Sequence, residues 1–230
     1  MGSIYNNNKS SQQNVYDAFN ALMFSDDNRI FQKMTKKIEL YLKTTDLVGD
    51  VVEFGVFKGA SLALWLKLRN MYEPHSITKV LGFDFYNPSE LLETLTDINK
   101  DLMSDVIERV DKNELTVESI NSRLEKFNKD NYMLIKGDAS ITSKEFSELN
   151  KGFRIKLLYM DLDLGDPTLK VLINLWKHVV TGGIVVFDEY AYHAWDESVG
   201  VDTFLKSIKN EYTVFKTNII SPTLCIIKIV

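Results

Sequence analysis

Cysteine is nearly missing from this sequence. Cys225 is the single one in 230 residues, which excludes an intrachain disulfide framework and a cysteine-built zinc site. A basic surplus is also missing: 27 lysines and arginines stand against 32 aspartates and glutamates, a net charge of -5. A clamp on duplex nucleic acid through phosphate contacts is thereby excluded as a function class. No run approaches the roughly 20 apolar residues of a membrane span. The opening MGSIYNNNKSSQQN lacks the apolar stretch of a secretory leader. Met1-Gly2-Ser3 begins like a myristoylation signal, but the residues after it do not complete one. These absences predict a cytoplasmic chain with neither nucleic acid nor membrane as a partner.

What is present suits a soluble fold. Hydrophobic residues make up 45% of the chain and charged residues 26%, enough apolar content for one domain with a sizeable core. Cys225, inside TLCIIKIV, reads as a small buried hydrophobe. Two helices are predicted first, over 15–23 and about 27–43. The second carries Ile30, Phe31, Met34, Ile38, Tyr41 and Leu42 at helical spacing, with Ser25 or Asp26 as its cap. Short dense apolar segments then alternate with helical ones. Strands are predicted at 50–54, 79–83, 132–136, 155–160 and 184–187, followed by a closing pair near 212–217 and 223–229. Helices are predicted at 61–71, 169–180 and 199–209, the middle one stopping at Gly182-Gly183. The expected class is α/β, a mostly parallel seven-stranded sheet with an antiparallel last strand. Residues 1–48 form an N-terminal helical extension to a domain of 49–230. A helical insertion at about 86–130, with segments 89–110 and 116–127, serves as a lid over the sheet or as a dimer surface.

Acidic residues recur where strands end: Glu53, Asp84, Asp138, Asp161 and Asp188. Any one alone reads as a turn residue or helix cap, but together they mark the edge at which open α/β sheets bind ligands. The first turn, VEFGVFKGAS, has Gly55 and Gly59 for a sharp turn and close ligand approach. It is not the GxGxxG of a dinucleotide fold, and Glu53 would repel a pyrophosphate. Asp84 is placed for a ribose diol and Asp138 for an adenine amino group, a pattern that suits S-adenosylmethionine. In YMDLDLGDPT and VVFDEY, Asp161 and Asp163 lie beside Asp188 and Glu189. Such carboxylates repel unless a cation neutralises them, and hard oxygen ligands point to Mg²⁺, Mn²⁺ or calcium. The bland alternative has Asp163 and Asp166 capping a helix, with Asp188 and Glu189 solvated.

These motifs, with LGFDFY, IKGDASIT and TGGIVVFDEY, give the chain a family likeness over about 27–204. It resembles the macrocin O-methyltransferase family (TylF/MycF/NovP type), which methylates sugar hydroxyls. The resemblance implies a class I, Rossmann-like methyltransferase using S-adenosylmethionine and Mg²⁺ (or Mn²⁺). By position, Glu53, Gly55 and Ser61 would lie by the methionine part of the cofactor, Asp84 at its ribose and Asp138 at its adenine. Phe57, Gly59, Phe85, Ala139 and Asp161 complete that cofactor set. Asp161, Asp188 and Glu189 would bind the metal, and Asp163 would be the general base. The chain departs from the family pattern with Glu189 in place of a second aspartate, with Leu162 between the paired aspartates, and with Gly165 where an aromatic stands.

Tyr86, Tyr190, His193 and Trp195 are candidate acceptor contacts. For Tyr86, His193 and Trp195 a packing role is the alternative. The expected acceptor is a sugar or nucleotide-linked sugar of a bacterial surface glycan or natural-product pathway, and a homodimer is one possible assembly. A non-sugar diol, a hydroxylase-like relative on the same scaffold and a non-catalytic binding protein are the competing readings.

Overall fold

Every residue of the strand Ile155–Met160 is buried, and the strand Asp50–Phe54 is buried at its last four positions. Continuous rather than alternating burial means that both faces of the sheet are covered, the condition under which parallel sheets occur. The computed structural model describes residues 9–95 and 97–230; Met1-Gly2-Ser3 lies outside them. The elements follow as α1 (Lys9–Met23), α2 (Arg29–Leu42), β1 (Asp50–Phe54), α3 (Ala60–Tyr72) and β2 (Val80–Asp84). The insertion supplies α4 (Pro88–Thr94), α5 (Asp97–Glu108) and α6 (Val117–Arg123). The chain continues with β3 (Tyr132–Lys136), α7 (Ala139–Leu149), β4 (Ile155–Met160) and α8 (Gly165–Leu175). It closes with β5 (Val179–Phe187), α9 (Glu197–Ser207), β6 (Tyr212–Lys216) and β7 (Leu224–Lys228).

The seven strands form one sheet in the order β3-β2-β1-β4-β5-β7-β6. The first five strands pair in parallel, and β7 runs antiparallel between β5 and β6. The strand order reverses between β1 and β4, which opens a crevice at their carboxyl ends. One face of the sheet packs Phe54, Phe83, Met160 and Phe187 against α7, α8 and α9. The other packs Val51, Tyr159 and Val186 against α2 and α3. No described helix is long and apolar enough to cross a membrane.

Four expectations change. The helix expected at 169–180 ends at Leu175, and a 3₁₀ turn, Trp176–His178, leads into β5 at Val179. Gly182 (φ 84°) therefore lies inside the strand, where the β4–β5 pairing shifts register, and is not a helix stop. The long insertion helix breaks at Leu95, which is extended (ψ 149°). The helix α7 has no large apolar stripe to announce it, since its buried face is Ala139, Ser143 and Ser147. Lastly, α2 starts at Arg29 without a side-chain cap, and Asp27 rather than Ser25 or Asp26 accepts the Arg29 N–H, at 2.9 Å. Its inward face is Lys37, Leu40 and Tyr41, while Ile30, Phe31 and Leu42 are exposed.

Gly55 fixes the crevice. It has φ +85°, and a Cβ there would lie 1.8 Å from the Asp161 carbonyl oxygen. Gly55→Ala is expected to cost about 3 kcal/mol or more, from the left-handed backbone and the overlap. Gly152→Ala, whose Cβ would meet nothing within 4 Å, is expected to be neutral or stabilising by about 0.4–1 kcal/mol. Urea midpoints compare the two, and equal midpoints would contradict this account of the crevice.

Candidate active site

Each strand of the parallel set delivers its acid through the register of the sheet. Asp84, ending β2, accepts hydrogen bonds from the Val56 and Phe57 amides at 2.8 and 3.0 Å and from the Tyr86 amide at 3.1 Å. It thus pins the loop after β1 against the end of β2. Burial pushes its pKa up, against the backbone donors that lower it. Asp138, after β3, caps α7 by accepting the Ser140 N–H at 2.7 Å. The β4–β5 pairing puts Met160 opposite Phe187, which sets the following residues, Asp161 and Asp188, side by side. A cavity of about 650 Å³ opens at the crevice, walled by Gly55, Phe57, Asp84, Phe85, Asp138 and Asp161 on the sheet side. Leu91, Leu95, Met103 and Ile107 of the insertion cover it, so the insertion does lie over the sheet edge. This volume falls within the range of small-molecule sites.

The acids at the far side of the crevice are crowded. Asp161 has a pKa raised to about 6 by burial and then by Asp188, with Lys33 and Lys37 opposing. Glu189 is raised to about 7, by burial and then by Asp188 and Asp161. Asp163, in a left-handed turn (φ 64°), lines the cavity and is pushed well up by burial and the neighbouring carboxylates. Glu197 was not anticipated. Buried on α9, it accepts the Glu189 N–H at 2.9 Å, its other oxygen has no partner among the described residues, and its pKa is likewise raised by burial and by Asp161.

Two lysines of α2, also unanticipated, enter this cluster. The Lys33 ammonium lies 2.7 Å from Asp188 Oδ2 and 3.3 Å from Asp161 Oδ2. Burial disfavours its charge, but the two carboxylates prevail and raise its pKa. One turn on, Lys37 is buried, donates to Ser61 Oγ and lies 3.5 Å from Glu53 Oε1. Its ammonium stands 3.9 Å from the Tyr159 ring centre, a cation–π contact. Glu53 is pushed to about 7 by burial, with Lys37 opposing. An apolar-stripe reading puts both lysines on the solvent side. The available signal was the surplus of acids at the strand ends, which needs cations from somewhere.

The predicted residues therefore divide. Gly55, Phe57, Asp84, Phe85, Tyr86, Asp138, Ala139, Asp161 and Asp163 line the cavity. Glu53 and Ser61 are not among the residues that wall it and are engaged by Lys37, and Gly59 sits at the start of α3 in a left-handed conformation. Tyr86 is buried, with its hydroxyl donating to the Gly82 carbonyl at 3.0 Å, so it packs as well as lines. Tyr190 donates to Asp202 at 2.9 Å. His193 is exposed and Trp195 half-buried in the loop after β5. Tyr190, His193 and Trp195 are not among the residues that wall the cavity.

The expected Mg²⁺ (or Mn²⁺) set of Asp161, Asp188 and Glu189 does not fit this arrangement. The Asp188 carboxylate is already engaged by Tyr159 at one oxygen and by Lys33 and Ser221 at the other. Lys33 occupies the space between Asp188 and Asp161. Among the described residues, no three histidine, cysteine or acidic side chains converge as a ligand group. The S-adenosylmethionine fit is better. Asp84 and Asp138 line the cavity as hydrogen-bond acceptors for the hydroxyl and amino groups of an adenosine, and Asp84 keeps one of about four lone-pair positions free of backbone donors.

A family model described as a methyltransferase domain matches residues 52–190, from β1 through the acids after β5. Among solved structures, the chain is similar to CalS11, a TDP-rhamnose 3'-O-methyltransferase of calicheamicin biosynthesis. The two are 20% identical over 94% of this chain and 93% of that one, with a TM-score of 0.65. The O-methyltransferase NovP is 16% identical over 86% of this chain and 79% of its own, with a TM-score of 0.67. A putative methyltransferase from Streptococcus mutans in complex with SAH is 16% identical over 84% and 98%, with a TM-score of 0.50. These likenesses show the fold. No curated protein matches the sequence. The matched span runs through the crevice and all five strand-end acids, and on it the chain belongs to this methyltransferase-domain family, with the class I S-adenosylmethionine-dependent fold.

Proposed function

We propose that the chain is an S-adenosylmethionine-dependent O-methyltransferase whose acceptor is a hydroxyl of a sugar, in particular a nucleotide-linked one. The observation that carries this reading is Asp163, a half-buried carboxylate that lines the cavity two residues beyond Asp161 and whose pKa is pushed up by desolvation and the neighbouring carboxylates. A carboxylate whose proton affinity is raised in this way is the group an alcohol nucleophile needs. Bound in the crevice, S-adenosylmethionine supplies a methyl group activated by a sulfonium. Asp84 would accept from one ribose hydroxyl at its remaining lone-pair position, Asp138 would lie toward the adenine, and the Gly55 loop would border the methionine part. The insertion's Leu91, Met103 and Ile107 give the cavity an apolar wall, which would reduce water contact around a bound substrate and strengthen the electrostatic contacts inside. Asp163 takes the hydroxyl proton as the oxygen is held in line with the methyl, so the chain's main contributions are alignment and one proton transfer. A sugar as acceptor is supported by the carboxylate-rich wall, which suits hydroxyl donors, and by the likeness to CalS11, itself active on TDP-rhamnose. No step is assigned to a divalent ion, because Lys33 holds the position between Asp161 and Asp188.

Two measurements test the reading. S-adenosylmethionine at about 100 times its dissociation constant should stabilise the native state by about 2.7 kcal/mol. For a chain of this length that raises Tm by about 5–10 °C; an unchanged melting curve at saturating cofactor would sink the proposal. Asp163→Asn should keep this shift and lose about 10²–10⁴ in methyl transfer, assayed over a panel of nucleotide sugars that includes TDP-rhamnose. Near-normal turnover by the variant would remove Asp163 as the base.

A further inference from the structure

The acid cluster carries its own cation. Lys33 and Lys37 are four residues apart on α2, and such a pair shares one helix face. The helix is anchored below them by Leu40 and Tyr41, both fully buried, with the Tyr41 ring stacked 6.3 Å from that of Trp65. Lys33 is thus delivered by a rigid element and not by a loose surface arm. Its ammonium contacts Asp188 at 2.7 Å and Asp161 at 3.3 Å. Tyr159 and Ser221 brace Asp188 from other directions. An ammonium has three donors, and two are accounted for. Lys33 also lines the cavity and its side chain is one-third exposed, so the third donor is accessible to a bound molecule.

We propose that Lys33 is a catalytic residue, the resident cation of the acceptor site, holding the acceptor oxygen in place of a divalent metal. This rests on the methyltransferase reading above and goes further in assigning the electrostatic role to the chain itself. With Asp161 and Asp188 fixing the ammonium, its free N–H meets the acceptor hydroxyl oxygen and stabilises the negative charge that grows there. The O–H bond breaks and its proton passes to the Asp163 carboxylate. The new oxygen–methyl bond forms as the methyl–sulfur bond breaks, with that electron pair remaining on sulfur. Charge and atoms balance without a metal.

Mn²⁺ is the probe, read by electron paramagnetic resonance of the free ion on the full chain. Wild type should leave added Mn²⁺ free, whereas Lys33→Ala should bind one equivalent about tenfold or more tightly than wild type, because two facing carboxylates lose their counter-ion. Lys33→Arg should exclude the ion as wild type does. Methyl transfer by wild type should survive EDTA, with the rate changed by less than about twofold, and Lys33→Ala should be slower by about 10²-fold or more. The inference is overturned if wild type takes up one Mn²⁺ that Asp161→Asn abolishes, or if Lys33→Ala binds Mn²⁺ no more tightly than wild type. Lys33→Met replaces the alanine variant if circular dichroism shows the latter unfolded. The cofactor melting shift reports separately: its absence defeats the methyltransferase reading, while the Mn²⁺ result bears on Lys33 alone.

Discussion

Mutual repulsion among carboxylates is the constraint that organises this molecule. A parallel sheet aligns its strand ends, and here that alignment gathers Glu53, Asp161 and Asp188, with Asp163, Glu189 and Glu197 close by. Buried like charges at such separations cannot all remain ionised without compensation. The compensation comes from one face of α2, where Lys37 answers Glu53 and Lys33 answers Asp161 and Asp188. The helix α2 is therefore not a simple appendage: it shares a core with α3 and the central strands and supplies both cations. Burial and mutual repulsion raise the pKa of the carboxylates left over, Asp163, Glu189 and Glu197, which strengthens them as proton acceptors.

The sheet was legible because each of its central strands is a dense apolar run ended by an acid or a glycine, and that pattern has few other readings. The ends of β1, β2, β3 and β4 follow directly from Glu53-Phe54-Gly55, Asp84, Gly137-Asp138 and Asp161. Elements whose burial is not apolar were harder to read. The inward face of α7 is alanine and serine, and that of α2 includes a buried lysine, so hydrophobic periodicity either misses the element or turns it the wrong way. The start of β5 was misread because Gly182-Gly183 looks like a helix stop, whereas tertiary pairing of Val179 with Ile155 makes it a strand irregularity.

The same limit explains the site. The acids were visible as strand ends, but the lysine that joins Asp161 and Asp188 lies more than a hundred residues away in sequence. Sequence spacing cannot register that kind of proximity. The need for a cation was sound, and its source was not readable. Glu197 escaped notice for a different reason: it lies in α9, not at a strand end, and it holds the Glu189 amide eight residues back in the chain.

The three backbone bonds accepted by Asp84 have a kinetic and entropic meaning for the crevice. Loops that bind ligands commonly lose conformational freedom on contact, and that loss subtracts from affinity. Here the turn from Gly55 to Phe57 is already ordered by the Asp84 carboxylate. A small molecule arriving at the crevice meets a finished surface, and the ordering has been supplied by folding and not by the encounter.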